Sequence, residues 1–248
     1  MTRPTTLAPT SLDGLNVPLY ERVRLGIQAR LAGHVWDPSE PIPTEQALAQ
    51  EYEVSIGTIR KAVERLVKDG LLAKVQGKGT FIKRPDFGGS LLRFFRYRNA
   101  SGQQVVPTGV VKAVVVVPAD ADINARLDLA PDAELIRLTR VRLVDETIVL
   151  SESIWLPRTL FAPLATMAPE RFGNLLYPFY DEVCGQFVFS ADETLSFTSG
   201  RADADLGTQD SDLLVRIERI AYNIEGRPIE YRISHGQPQN FRYEMRIR

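Results

Sequence analysis

Two groups of residues in this sequence could do chemistry. The first is Ser55-Ile56-Gly57-Thr58-Ile59-Arg60-Lys61, where small hydroxylated residues and a glycine precede two cations. At the start of a helix, such side chains and the free amides beside them can reach bases and phosphates, and an arginine there can pair bidentately with guanine or clamp a phosphate. The second is Leu138-Thr139-Arg140-Val141-Arg142 with Ser151-Glu152-Ser153, where charges occupy alternate positions among apolar residues. Alternate residues of a strand share a face, so Arg140 and Arg142 point with Ile136, Leu138 and Val144, and Glu152 points with Ile148, Leu150, Ile154 and Leu156. A three-residue turn centred near Glu146 would set Arg140 opposite Glu152 and leave Arg142 for another partner. The readings of this hairpin that stay open are a structural ion pair, a register one residue away from this one, or a pocket for a small polar or anionic ligand. No catalytic residue, cofactor or metal site is expected, because there is no activated nucleophile, metal cluster or phosphate loop. Cys184 reads as a small core residue on a helix, and His34 and His235 lack metal-ligand spacing.

These residues need elements to hold them. Leu19, Val23, Ile27 and Leu31 recur at helical spacing after Pro18, with Gly33 past the end, which predicts a first helix. Thr44 can cap a second helix with Ala47, Leu48 and Tyr52 on its apolar side, and Glu45 suits its N-terminal dipole. After a break at Glu53-Val54, Ser55 can cap a third helix over residues 56–69, with Ile59, Val63, Leu66 and Val67 inward and Gly70 at its end. Two short helices joined by a tight turn make a helix-turn-helix. Residues 71–75 and 80–82 then form a hairpin about the tip Gln76-Gly77-Lys78-Gly79. Taken alone the tip is a plain hairpin turn, but directly after a helix-turn-helix it reads as a wing whose backbone can approach a phosphate chain. Lys78, with Lys74 and Thr80, would contact those phosphates.

Further along, residues 110–117, 135–144, 148–156, 186–197, 213–224, 228–234 and 241–248 are strand-like, and 122–127, 174–185 and 202–206 are helix-like. That pattern predicts an α+β domain, an antiparallel sheet with helices to one side. The Pro/Gly-rich residues 84–90 read as a linker and residues 1–16 as a flexible tail. The expected domains are therefore 17–83 and 91–248.

In order, Pro18-Leu19-Tyr20, Pro43-Thr44-Glu45, Val54-Ser55 with Thr58-Ile59-Arg60-Lys61-Ala62, Asp69-Gly70-Leu71 and Gly77-Lys78-Gly79-Thr80-Phe81 resemble the DNA-binding domain of GntR-type regulators. The resemblance implies that the third helix enters the major groove and that the wing glycines sit near the minor groove. The implied DNA-contacting set is Thr44, Gln46, Ser55, Ile56, Gly57, Thr58, Arg60, Lys61, Lys74, Gly77, Lys78, Gly79 and Thr80. Gln46 and Ile56 stand where relatives often carry arginine, so operator preference stays open.

The second half resembles the UTRA ligand-binding domain of the HutC subfamily, whose fold is similar to chorismate lyase. Residues 138–142, Ser151-Glu152-Ser153 with Leu156-Pro157, and Pro228-Ile229-Glu230-Tyr231-Arg232 carry that resemblance. It implies that Arg140, Arg142, Glu152 and Glu230 line an effector pocket, in a group whose members recognise sugar phosphates, urocanate and other small metabolites. Residues 234–243 depart from the more usual tyrosine- and aspartate-containing form, which leaves the effector open. The implied partners are operator double-stranded DNA, a small-molecule effector and a second copy of the chain, with no membrane. The implied function is a repressor released from its operator by a metabolite; the alternative is an enzyme with a chorismate-lyase-like domain.

Composition agrees with that outline. The 248 residues are 44% hydrophobic and 25% charged, ordinary stock for two globular domains. No run approaches the ~18 apolar residues of a membrane span, and the first residues lack a secretory signal's apolar core, so a cytoplasmic, nucleoid-associated protein is expected. Residues 1–84 hold 12 Lys+Arg against 9 Asp+Glu, and the remainder holds 18 against 22, so the N-terminal part is the basic one.

Overall fold

In a computed structural model of the chain, residues 17–83 except 34 and 38, and residues 105–240 except 201, are described. The expected tail at 1–16, the linker at 84–90, His34 and the strand at 241–248 lie outside them. The chain divides into two compact units, Met1–Arg84 and Pro85–Arg248.

The first unit is three helices and a hairpin: α1 (Leu19–Ala32), α2 (Glu45–Glu51), α3 (Ile56–Lys68), β1 (Leu72–Val75) and β2 (Gly79–Ile82). Pro18 stands just before α1, and Val23, Ile27 and Leu31 bury its inner side. Leu19, expected with them, is exposed. The Thr44 hydroxyl accepts the Ala47 amide at 3.2 Å and starts α2. There Ala49 is buried with Leu48 and Tyr52, and the expected Ala47 faces out. Glu53 takes a left-handed conformation in the break, and Ser55 then caps α3 by accepting the Thr58 amide at 3.2 Å. Ile59, Ala62, Val63 and Leu66 are buried, with Val67 half-buried. Along the second strand of the hairpin the Ile42 amide donates to the Thr80 carbonyl at 2.8 Å, and Pro41 bridges Phe81. The loop before α2 therefore anchors the wing.

The second unit is a six-stranded antiparallel sheet, ordered β3-β4-β5-β8-β7-β6. Its strands are β3 (Thr108–Val117), β4 (Leu135–Val144), β5 (Thr147–Pro157), β6 (Val188–Thr198), β7 (Leu214–Asn223) and β8 (Pro228–Gly236). Between them lie α4 (Ala121–Arg126), α5 (Leu176–Cys184) and short 3-10 turns. Helices cover both faces, not one as the sequence suggested. Tyr177 and Tyr180 of α5 pack with Phe161 and Leu164 over Ile136, Leu138, Ile154 and Leu156. Ile123 and Leu127, from α4 and its end, pack against Trp155 and Tyr231, whose neighbours on the strands face the other way. The helix expected at 202–206 is a turn, because the Asp203 carboxylate accepts the amides of Asp205 and Leu206 at 3.1 and 3.2 Å.

Candidate functional site

The sheet face under α5 carries a buried charge cluster. Cross-strand pairing aligns Arg140 with Glu152 and Glu152 with Ser234, and one step along aligns Ile154 with Arg232 and Arg232 with Arg219. The expected register holds, though not by the expected turn. Only Asp145 and Glu146 form the turn, both with positive φ, and a bulge between Arg142 and Leu143 on β4, opposite Ile148 to Leu150 on β5, restores the alignment.

Glu152 is the hub. One of its carboxylate oxygens accepts from Arg140 Nη1 at 3.1 Å; the other accepts from Arg142 Nε at 3.2 Å, Arg232 Nη1 at 3.4 Å and Ser234 Oγ at 3.3 Å. Arg142, expected to be free of Glu152, shares it. Glu230 accepts from Tyr177 and Tyr180 hydroxyls at 3.0 and 2.9 Å and from Arg232 Nη2 at 2.8 Å. Arg219 donates to the Tyr177 oxygen at 3.0 Å and to Glu193 at 2.7 Å. Arg140 also donates Nη2 to the Asn174 carbonyl, and the Asn174 side chain accepts the Gly109 amide at 2.6 Å. Gly109 is there for space: a methyl group on it would overlap the Arg140 guanidinium.

Arg140 and Glu230 have no exposed surface, and Glu152 is 2% exposed. Burial opposes the Glu152 charge, but Arg142, Arg232 and Arg140 outweigh it and hold the carboxyl well below its usual range. At Arg140, burial prevails over the attraction of Glu152 and brings the guanidinium down to about 10. Burial and the adjacent Glu230 push the Tyr180 hydroxyl well up, so it stays protonated and donates. Among the described residues four arginines meet three carboxylates here, and Arg140 Nε, Arg142 Nη1 and Arg232 Nε are buried with no hydrogen-bond partner among those residues. Such a surplus is costly to bury and suits an additional anion or a polyhydroxylated group.

The structure thus brings together all four residues expected at this site. Sequence reading missed Arg219, Arg232, Ser234, Tyr177, Tyr180 and Gly109. The alternation of Glu230, Arg232 and Ser234 repeats that of Arg140 and Arg142, so two of these were within reach. The tyrosine hydroxyls were not, since i, i+3 aromatic residues on a helix read as packing. An open cavity of about 350 Å³ lies elsewhere, lined mostly by apolar groups of Leu129, Ala133, Pro157, Thr159 and Ala162, and its Arg158 and Glu134 pair with each other. Cys184 is half-buried beside the α5 core, where burial pushes its thiol up to about 11.

On the first unit, Thr44, Gln46, Ser55, Ile56, Gly57, Arg60, Lys61, Lys74, Gly77, Lys78 and Gly79 are exposed, and Thr58 and Thr80 are half-buried. Ser55 and Thr58 hydroxyls lie 2.8 Å apart at the start of α3. Gly57 is exposed, and a methyl group on it would meet only Ser55 Oγ, at 3.8 Å. Gly77 and Gly79 have φ of 73° and 124°, and a methyl group on Gly79 would press against Pro41. Arg60 and Lys74 converge on Glu45, whereas Lys61 lies over the Tyr20 ring at 3.9 Å and leans toward α1.

Comparison with known proteins matches the same two units. Residues 102–242 match the UTRA domain, and residues 19–82 match bacterial regulatory proteins of the gntR family. The chain is 27% identical to the mannosyl-D-glycerate transport/metabolism system repressor MngR of Escherichia coli (strain K12), over 86% of this chain and 89% of that protein. It is 21% identical to the HTH-type transcriptional repressor NagR of Bacillus subtilis (strain 168), over 87% and 88%. The crystal structure of PhnF from Mycobacterium smegmatis has the same fold, with a TM-score of 0.51 at 22% identity over 91% of this chain and 99% of that one. The chain belongs to the GntR family of bacterial transcription regulators, in the HutC subfamily that joins the family's helix-turn-helix to a UTRA domain.

Proposed function

We propose that this regulator is a homodimeric repressor, acting on the nucleoid in the cytoplasm, whose operator is released when an anionic metabolite enters the arginine cluster. Residues 17–83 are the DNA-binding domain, 84–90 the linker, and 91–248 the effector-binding and dimerisation domain. Helix α3 enters the major groove, where Ser55, Ile56, Gly57, Thr58, Arg60 and Lys61 meet bases and phosphates, with Thr44 and Gln46 of the preceding helix at the groove edge. Lys74, Lys78, Thr80 and the backbone of Gly77 and Gly79 contact the adjoining phosphates.

Arg140, Arg142, Glu152 and Glu230 form the effector site, completed by Arg232 and Ser234. The observation that carries this reading is the buried guanidinium surplus, above all Arg142 Nη1, which has no partner among the described residues. The relatives support the ligand class: MngR is named for a glycerate glycoside, a carboxylate-bearing sugar derivative. Calorimetry against a panel of sugar phosphates and sugar acids tests it. Charged members bind and their uncharged counterparts do not, Arg142→Ala abolishes the binding, and the variant still holds operator but no longer lets go. Equal binding of charged and uncharged members would falsify the assignment.

A further inference from the structure

A carboxylate sits among the cations of the DNA-facing surface. Glu45, the first residue of α2, accepts Arg60 Nε from α3 at 3.1 Å on one oxygen and Lys74 Nζ from β1 at 3.0 Å on the other. Three elements therefore meet at one group: the first helix of the helix-turn-helix, the recognition helix and the wing. The Glu45 side chain is 26% exposed against 58% for Arg60 and 44% for Lys74, so the cations cover the carboxylate. Burial opposes its charge, yet the hydrogen bonds and charges of Lys74 and Arg60 outweigh burial and lower its pKa, so it stays ionised.

A negative group beside phosphates weakens every contact made by charge alone. The N-terminus of α2 does not require it, because Thr44 already caps that end. What the two shared hydrogen bonds supply is direction. Lysine and arginine side chains are long and rotamer-rich, and an unrestrained pair meets any phosphate as readily as a particular base edge. We infer that Glu45 is a positioning residue for DNA recognition: it ties Arg60 to Lys74 so that helix and wing present their cations to one duplex geometry. Attraction common to all sequences is given up for discrimination among them. The inference rests on the proposal that Arg60 and Lys74 face DNA.

The test uses the full-length protein, a duplex selected from a random pool by the wild type, and a random-sequence duplex for comparison. Glu45→Gln removes the charge: the salt slope on the random duplex steepens by up to about one, and preference for the selected duplex falls about tenfold. Glu45→Asp keeps the charge on a side chain one methylene shorter, so the slope stays while the preference still falls. Unchanged preference in both variants overturns the inference, and so does an equal change on both duplexes, which is a charge effect alone. A lowered melting transition in both variants assigns Glu45 to the fold and overturns it too. Wild-type preference retained by Arg60→Ala would instead remove the reading of Arg60 itself.

Discussion

Glu152 is the residue on which the second unit's charge balance turns, since three guanidinium groups and a hydroxyl converge on it. Its pKa is depressed in the folded chain, so its stabilisation is present above the ordinary carboxylate value of 4.5 and is lost as pH falls below it. Glu152→Gln therefore flattens the acid limb of the stability profile. At neutral pH the variant is less stable by about 3–5 kcal/mol, because it leaves buried cations uncompensated. Denaturant midpoints measured from pH 7 down to the acid transition check both effects; an unaltered acid limb would move the acid sensitivity elsewhere. Gly109 makes a second test at this scale. Its added methyl in Gly109→Ala must displace the buried Arg140 guanidinium, which costs about 1–3 kcal/mol and weakens anion binding. Operator affinity without metabolite stays at the wild-type value, as calorimetry and a DNA-binding titration on the same preparation would establish. Glycine here answers to space and not to φ, which is why nothing in the sequence marked it.

At the scale of elements, the β4–β5 hairpin shows what patterning can and cannot convey. Its faces were legible because Ile136, Leu138, Arg140 and Arg142 alternate along one strand and Leu150, Glu152, Ile154 and Leu156 along the other. The pairing of Arg140 with Glu152 was reached through a three-residue turn, which the structure replaces by a shorter turn and a bulge. The turn was not legible. Asp145-Glu146 lacks the asparagine and glycine that favour two left-handed residues, and the bulge that compensates for the short turn leaves no compositional trace. The strain suggests a repair. Asp145→Asn with Glu146→Gly removes a left-handed glutamate, stabilises the unit by about 1 kcal/mol and raises its Tm by roughly 2–4 °C. Calorimetric scans of the variant and wild type would reveal it, and an equal or lower Tm would show that the turn is not strained. The missed turn at 202–206 has a different origin, since the Asp203 side chain takes amides that helix-forming composition had assigned to backbone carbonyls. Caps at Thr44 and Ser55 were legible because one hydroxyl and one amide settle them locally.

For the whole molecule, the two units and their order were legible from motifs, while the sheet order was not, because β8 reaches β5 across long sequence separation. The proposed control joins a DNA site on one unit to an anion site on the other, so their coupling is reciprocal. A coupling of ~1–3 kcal/mol makes metabolite weaken operator binding about 5- to 150-fold, and operator must weaken metabolite binding by the same factor. Titrating each ligand in the presence and absence of the other measures this, and unequal factors would mean that a third process intervenes. Light scattering at micromolar concentration should give a dimer; a monomer that operator DNA does not pair would end the homodimeric reading. Glu152 adds a last consequence. It already supplies a carboxylate to the three arginines proposed to meet an anion, so on that proposal the protein carries its own competitor at fixed local concentration. On the proposed assignment, an anion and Glu152 draw on the same guanidinium groups, and the anion's apparent affinity scales with the fraction of time those groups are free to meet it. If the proposed site is right, such a sensor passes over trace anions and answers when the metabolite accumulates, with a threshold set by how firmly Glu152 holds its place.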